Sequence, residues 1–104
     1  MVEPEVGVKF DQDKPMMYLL NPKFVLDVAK VLTLGAKKYA PDNWKKVSEP
    51  YQRYISALER HMFAYHGGEK LDPESGISHL CHVVCCAMFL YGFDEMFKEV
   101  DVNE

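Results

Sequence analysis

The chain has 104 residues, 48% of them hydrophobic, which suits one compact domain with a modest core. Its formal net charge of -4 argues against a general nucleic-acid binder, because such a protein needs a basic face to neutralise phosphates. We therefore expect a single domain over residues 1–104 that has no nucleic-acid partner.

The start of the chain predicts an extended arm over residues 1–20. The segment MVEPEVGVKFDQDKP has no helical periodicity and contains Pro4 and Pro15, which interrupt regular structure. A helical core should follow over residues 21–98, and residues 99–104 should form an acidic tail.

Three periodic segments predict a small bundle of three main helices. They lie near residues 22–39, 49–66 and 73–92. Their starts carry capping signals, which are Asn21-Pro22, Ser48 before Glu49-Pro50, and Asp72-Pro73. The third segment is apolar nearly all round and should be the most buried helix. No stretch of useful length alternates apolar and polar residues, so the predicted fold class is all-α.

Three cysteines, Cys81, Cys85 and Cys86, lie inside the third predicted helix. Their odd number, their apolar surroundings and the lack of a signal peptide indicate reduced thiols in a cytoplasm. Zinc binding by Cys81 and Cys85 with the histidines is the weaker interpretation, because paired knuckle spacing is missing. The apolar run from residue 83 to residue 93 is too short and too interrupted to span a bilayer, so we expect no membrane partner.

The stretch GAKKYAPDNW places cations beside aromatic rings in an otherwise acidic protein. Lys37 and Lys38 could hold phosphate groups, and Tyr39 or Trp44 could stack on a base. Equally, the lysines could interact with the end of the first helix while Trp44 anchors a loop to the core. The sequence alone leaves these two interpretations even.

The stretch RHMFAYHGGEKLDPESGISHLCH gathers all four histidines of the chain with three carboxylates. On the predicted third helix, one stripe is shared by Asp72, Ser75, His79, His82 and Cys86, and His61 lies at the edge of the second helix. Such a set suits a divalent metal ion. We expect that ion at the start of the third helix, where the positive helix end would also attract phosphate. The alternative is that the histidines are polar residues of the core.

Three phrases, KFDQDKP, LGAKKYAPDNW and RH…GEKLDPESGISHLCH, together resemble the phage-associated family of dATP/dGTP diphosphohydrolases. The resemblance covers roughly residues 7 to 92. It implies an α-helical, metal-dependent hydrolase that cleaves a purine deoxynucleoside triphosphate to the monophosphate and pyrophosphate, with an activity akin to that of MazG-like pyrophosphatases. MazG-like enzymes present glutamates and an aspartate on facing helices, whereas this chain offers His79 and His82.

The positions that recur in the family, combined with the chemical needs of triphosphate hydrolysis, suggest roles for individual residues. The expected catalytic residues are Glu69, Asp72 and Glu74. The expected metal ligands are His61, Asp72, His79 and His82. The expected substrate-binding residues are Lys14, Lys38, Tyr39, Asn43, Trp44 and Arg60. The expected cofactor is a divalent ion, Mg2+ or Mn2+ first, with Zn2+ or Co2+ as alternatives.

The remaining expectations concern partners and competing functions. We expect a nucleotide substrate, a homo-oligomer of two or four chains, and, for a phage-encoded protein, the cytoplasm of an infected bacterial host. One competing function is a phage protein that sequesters a nucleotide or nucleotide signal without cleaving it. Another is a structural helical module.

Overall fold

The computed structural model describes residues 5–103, with side chains through residue 97, and shows three α-helices. Helix α1 spans Pro22–Lys38, α2 spans Pro50–His66 and α3 spans His79–Asn103. Short 3-10 turns lie at Met17–Leu19 and Asn43–Lys46. The predicted all-α fold class is confirmed, since residues 5–103 form no strand and only one isolated bridge, between Leu71 and Ser78. Residues 1–4 of the expected arm and residue 104 of the expected tail lie outside the described residues.

Helix α1 begins as its capping signal predicts. The Asn21 side chain accepts a hydrogen bond from the backbone N–H of Phe24 at 3.2 Å, and Pro22 occupies the first helical position. The helix ends at Lys38, and Tyr39 donates its N–H to the carbonyl of Gly35. The predicted range was therefore nearly correct.

Helix α2 begins at Pro50, but its predicted cap is wrong. The capping position is Glu49, which has a positive φ of 49° and makes no side-chain cap. The Ser48 hydroxyl instead accepts a 3.5 Å hydrogen bond from the Arg53 guanidinium. The helix ends at His66, immediately before the Gly67-Gly68 pair.

Helix α3 begins at His79 and not at residue 73, so the predicted Asp72 cap is wrong. The Asp72 carboxylate accepts a 2.9 Å hydrogen bond from the N–H of Ser75. The backbone carbonyl of Asp72 accepts a 2.7 Å hydrogen bond from the N–H of Gly76. These bonds close a tight turn that Gly76 completes with a φ of 72°. The Ser78 hydroxyl provides the actual cap by accepting from the N–H of Leu80 at 3.1 Å.

The other end of α3 also differs from the prediction. The helix continues past residue 92 and runs to Asn103, so the backbone of most of the expected tail is helical. Gly92 interrupts the helical pattern weakly, and the following residues include no proline that could end a helix.

The core lies where α3 packs against both other helices. Its buried apolar members are Val28 on α1 and Cys81 and Cys85 on α3. Cys86 and His79 are buried as well, so α3 supplies nearly all the buried residues of the described chain. The prediction that the third helix is the most buried is confirmed.

By length and composition, the segment His79–Phe97 could also cross a membrane, with a mean hydropathy of 1.4. The apolar part of α3 is thus longer than the sequence pattern suggested. Buried core helices of soluble proteins meet the same criteria, and α3 packs against two other helices, but only 22% of this segment is buried in the single chain.

The molecule is open in shape. Its radius of gyration is 19.3 Å, whereas a compact domain of about 100 residues has a value of about 13 Å. All described residues of the arm, 5–20, are exposed, including several large apolar side chains. Much apolar surface therefore faces solvent in a single chain.

Candidate metal and nucleotide site

The loop between α2 and α3 brings together side chains from both helices. His61 comes from α2, His79 from the first turn of α3, and Asp72 from the loop. Each offers one ligand atom, and these atoms lie within 4.8 Å of one another. We call these three residues the ligand trio.

His79 is the best-positioned member of the trio. It is only 3% exposed, and its Nε2–H donates to Glu69 Oε1 at 2.7 Å. Because the carboxylate can only accept, the proton lies on Nε2, and Nδ1 is the acceptor of the hydrogen bond that His61 Nδ1–H donates. Nδ1 lies 2.8 Å from His61 Nδ1. Glu69 thus fixes the ring so that its second nitrogen faces the other ligands.

His61 is held between the two histidines of α3. Its ring stacks on His82 at a centroid distance of 4.5 Å and lies 5.0 Å from the ring of His79. Burial lowers the pKa of His61, and the neighbouring His82 and His79 lower it further. The neutral form is favoured, which is the form that can bind a metal.

Asp72 is held in its ionised form. Burial acts to raise the pKa of Asp72, but hydrogen bonds from the Ser75 backbone and hydroxyl, and then His82 and His61, outweigh it and lower the pKa. The carboxylate is therefore available as an anionic ligand near neutral pH.

His82 lies beside the trio. Its Nε2 is 3.7 Å from Asp72 Oδ2 and 2.7 Å from the Ser75 hydroxyl. Burial lowers the pKa of His82, and Asp72 partly opposes that effect. Among the four expected ligands, the structure thus collects three and places the fourth next to them. The sequence roles omitted Ser75, whose hydroxyl links His82 to the loop.

Glu74 points toward Lys38. Its Oε1 lies 2.9 Å from Lys38 Nζ, and both side chains are more than half exposed. The hydrogen bond to Glu74 raises the pKa of Lys38, as does the neighbouring Tyr39. The Lys38 ammonium also lies 5.3 Å from the centre of the Tyr39 ring. Two expected substrate-binding residues of GAKKYAPDNW therefore lie beside the loop that carries the trio.

Trp44 packs on α3. Its ring stacks on Phe89 at 5.2 Å and meets Phe93 edge to face at 5.4 Å. It also lies so close to Gly92 that a Cβ there would be 2.4 Å from the ring. The anchoring interpretation of Trp44 is confirmed, while its contact with a base stays a prediction. Asn43 begins the 3-10 turn that carries Trp44.

The two remaining expected substrate residues are exposed. Lys14 lies in a turn of the arm, where its N–H donates to the carbonyl of Asp11. Arg60 lies on α2 next to His61, and its charge contributes to the lowered pKa of that histidine.

The cysteines belong to the core and not to the ligand trio. The Cys85 thiol lies 3.6 Å from the carbonyl oxygen of Val28 on α1. Burial raises the pKa of Cys85 to about 12 and raises those of Cys81 and Cys86. Within the described residues, the potential metal group contains no cysteine.

The start of α3 differs from the expected phosphate site. The N–H of His79 donates to the carbonyl of Lys70, and those of Leu80 and Cys81 donate to Ser78. These amides are already bonded, and Asp72 is not at the cap. The expectation that the helix end itself attracts phosphate, with Asp72 as its cap, is therefore wrong.

Comparison with known proteins gives a family. The model of the family described as "dATP/dGTP diphosphohydrolase, N-terminal" matches residues 4–103. A dATP/dGTP diphosphohydrolase of Salmonella phage PMBT28 is 34% identical over 85 residues, which cover 82% of this chain and 29% of the relative. The chain thus spans less than a third of that relative's length. No solved structure matches. With nearly all of its residues matched, the chain belongs to the dATP/dGTP diphosphohydrolase, N-terminal, family.

Proposed function

We propose that this chain is a metal-dependent hydrolase that converts dATP or dGTP to the deoxynucleoside monophosphate and pyrophosphate. The observation that carries the proposal is the Glu69–His79 hydrogen bond, which leaves His79 Nδ1 unprotonated and facing His61 within the ligand trio. The name of the phage relative supports the substrate and the reaction.

The donor set fits a divalent ion. Two imidazoles and one carboxylate match a recurring arrangement in proteins that leaves further coordination positions open. Imidazole suits borderline ions, whereas Mg2+ prefers oxygen ligands. We therefore place Mn2+ ahead of Mg2+, with Zn2+ and Co2+ as further candidates.

A bound ion would polarise phosphate oxygens and lower the pKa of water. The residues of the chain do the remaining work. Asp72 and the two imidazoles would hold such an ion, and Glu69 keeps the proton of His79 on Nε2. His82, a neutral base 3.7 Å from Asp72, can accept the proton from the attacking water.

Lys38 is suited to bind the triphosphate. Its pair with Glu74 is exposed, and exposed pairs of this kind contribute little stability. Phosphate oxygens can replace Glu74 as its partner at small cost in free energy. The lysine would then neutralise charge on the substrate beside the trio.

The reaction balances with water alone. The water oxygen forms a bond to the α-phosphorus, and the bond from that phosphorus to the α–β bridging oxygen breaks. The electron pair leaves with pyrophosphate, and His82 takes the proton of the water.

The test is incubation of the purified chain with dATP or dGTP and Mn2+, with products separated by ion-exchange chromatography. We expect monophosphate and pyrophosphate, and no turnover with a chelator. Asp72→Asn should lower the rate by orders of magnitude, whereas Asp94→Asn, at an exposed position of α3, should not. Thermal melts of both variants control for folding.

Two outcomes would contradict the proposal. Formation of the diphosphate and orthophosphate would place the cleaved bond elsewhere. Tight binding of intact nucleotide, with no product after prolonged incubation with each ion, would favour the sequestering function.

A further inference from the structure

We propose that two copies of this chain form a dimer by exchanging their arms, so that residues 5–13 of one copy lie in a groove on α1 of the other. The proposal concerns assembly and does not depend on the proposed catalysis.

The arm presents an apolar face without a partner in its own chain. Val6, Val8 and Phe10 are 89%, 76% and 80% exposed. They occupy alternate positions of a segment that has no helix, and alternate side chains of an extended chain point to the same side. A continuous exposed apolar face of this kind indicates an interaction site.

The groove lies between α1 and the end of the loop before α3. Its volume is about 500 Å3. Its apolar wall includes Leu26, Ala29, Leu34 and Ile77, and Lys30 and Lys37 add two positive charges. Leu26 and Leu34 are about half exposed within one chain, so the wall can bury more apolar surface.

Charge selects the arm as the occupant of the groove. Glu5, Asp11 and Asp13 flank the apolar face of the arm and outweigh the single Lys9 within it, and all four are exposed. The two lysines of the groove carry the opposite sign, and only Lys30 has a carboxylate neighbour within its own helix, Asp27 at 3.7 Å. An apolar strip with acidic flanks thus meets an apolar wall with basic edges, which favours this pairing and its orientation.

The occupant comes from a second copy because the arm does not cover the groove of its own chain. Every described residue of the arm is exposed, and the molecule measures 67 Å along its longest axis. Exchange between two copies repeats the same contact twice about a two-fold axis. Since Ser75 lines the groove and contacts His82, the exchanged arm would also touch the loop that carries the ligand trio.

The first experiment measures mass by analytical ultracentrifugation at micromolar concentration. We expect a dimer whose dissociation constant rises by about tenfold or more in Phe10→Asp and in Leu34→Asp. Tyr51→Asp, at an exposed position of α2, is the control and should leave the dimer intact. A monomeric wild-type chain, or a dimer insensitive to both variants, would overturn the proposal.

A charge exchange tests the pairing itself. Lys30→Glu with Lys37→Glu should weaken the dimer, as should Asp11→Lys with Asp13→Lys. An equal mixture of the two double variants should form mixed dimers, because each acidic or basic arm then meets an opposite groove. Failure of the mixture to associate better than either variant alone would contradict the assignment of this groove.

Cross-linking distinguishes an arm that binds the groove of a second copy from an arm that folds back onto the groove of its own chain. A tagged Phe10→Cys chain mixed with a Leu34→Cys chain should give a two-chain disulfide on oxidation. The native thiols should react slowly, because burial raises their pKa values. If the doubly substituted chain cross-links only within itself, the arm serves its own groove and exchange is excluded.

Discussion

Glu69 acts on the site through a ring nitrogen that faces away from the other ligands. Its carboxylate holds the proton on His79 Nε2 and increases the basicity of Nδ1. Outer carboxylates of this kind commonly change metal affinity by about 10–100-fold. Glu69→Gln keeps an acceptor but loses the charge, so we expect affinity for Mn2+ to fall by about tenfold, measured by titration calorimetry.

Glu74→Gln is the matched control for that measurement. Glu74 bonds to Lys38 at the surface and not to a histidine of the trio. It should leave metal affinity nearly unchanged while lowering the KM for nucleotide, because phosphate then no longer competes with a carboxylate for Lys38. Equal losses of metal affinity in both variants would assign the two glutamates the same role.

Protonation of the histidines should destabilise the metal-free protein. Burial lowers the pKa values of His61 and His82 below the ordinary value of 6.5, so the unfolded chain binds more protons in acid. The stability gained by keeping them neutral is complete above pH of about 6.5 and is lost as the pH falls through their folded pKa values. Thermal melts with a chelator between pH 8 and 5 should show this loss.

Two histidine variants check the origin of that pH dependence. His82→Asn should flatten the profile, because its buried imidazole no longer has to take up a proton. His66→Asn should leave the slope unchanged, since His66 is exposed at the end of α2. A loss confined to pH values below about 4 would point to the carboxylates instead, whose ordinary pKa values lie there.

At the scale of elements, the same capping signal, a polar residue followed by proline, begins a helix at one position and a turn at another. Asn21-Pro22 and Asp72-Pro73 are both cap-then-proline pairs, and only the first begins a helix. After Asp72, a positive φ at Gly76 and the bridge between Leu71 and Ser78 close the chain into a turn. The helix pattern was visible in the sequence, but the choice between turn and helix depends on contacts that bring residues 70 and 79 together.

The corrected start of α3 leads to a test by substitution. Ser78→Ala removes the hydroxyl that accepts from the N–H of Leu80 and should cost about 1 kcal/mol of unfolding free energy. Ser48→Ala should cost much less, because Ser48 does not cap α2. Urea denaturation of both variants compares the two sites, and the reverse order would restore Ser48 as a cap.

Glycine positions on two helices make another matched pair. A Cβ at Gly92 would lie 2.4 Å from the Trp44 ring, so Gly92→Ala must displace the ring and should cost about 1–3 kcal/mol. At Gly35 on α1 nothing lies within 4 Å of an added Cβ. Gly35→Ala should therefore stabilise by about 0.5–1 kcal/mol. Urea denaturation midpoints measure both effects. A Gly92→Ala variant as stable as the wild-type chain would contradict the close packing of Trp44.

At the scale of the whole molecule, a bound ion should stabilise the fold measurably. A ligand at 100 times its dissociation constant adds about 2.7 kcal/mol to the unfolding free energy. For a domain of this size, that is a rise in Tm of about 10–20 °C. Adding Mn2+ should raise the Tm of the wild-type chain and not that of His79→Ala, measured by calorimetry. An equal rise in both would place the ion elsewhere.

The sequence predicted which residues come together at the site better than it predicted how they are arranged. The density of histidines and carboxylates identified His61, Asp72 and His79 without any structure. The roles of Glu69 and Ser75 depend on the path of an irregular loop, which leaves no periodic pattern to read. The length of α3 was underestimated because the apolar pattern fades after residue 92, whereas the backbone stays helical to Asn103.

The loop before α3 is tied together by its own backbone, and this has a consequence for exchange with solvent. The N–H of Asp72 donates to Ile77 at 2.9 Å, and that of His79 donates to Lys70 at 3.0 Å. Amide hydrogens at these positions should exchange slowly with deuterium even in metal-free protein, unlike those of an ordinary surface loop. The ligands would then already be in place when an ion arrives. The rate of ion binding should therefore be limited by dehydration of the ion and not by a rearrangement of the chain.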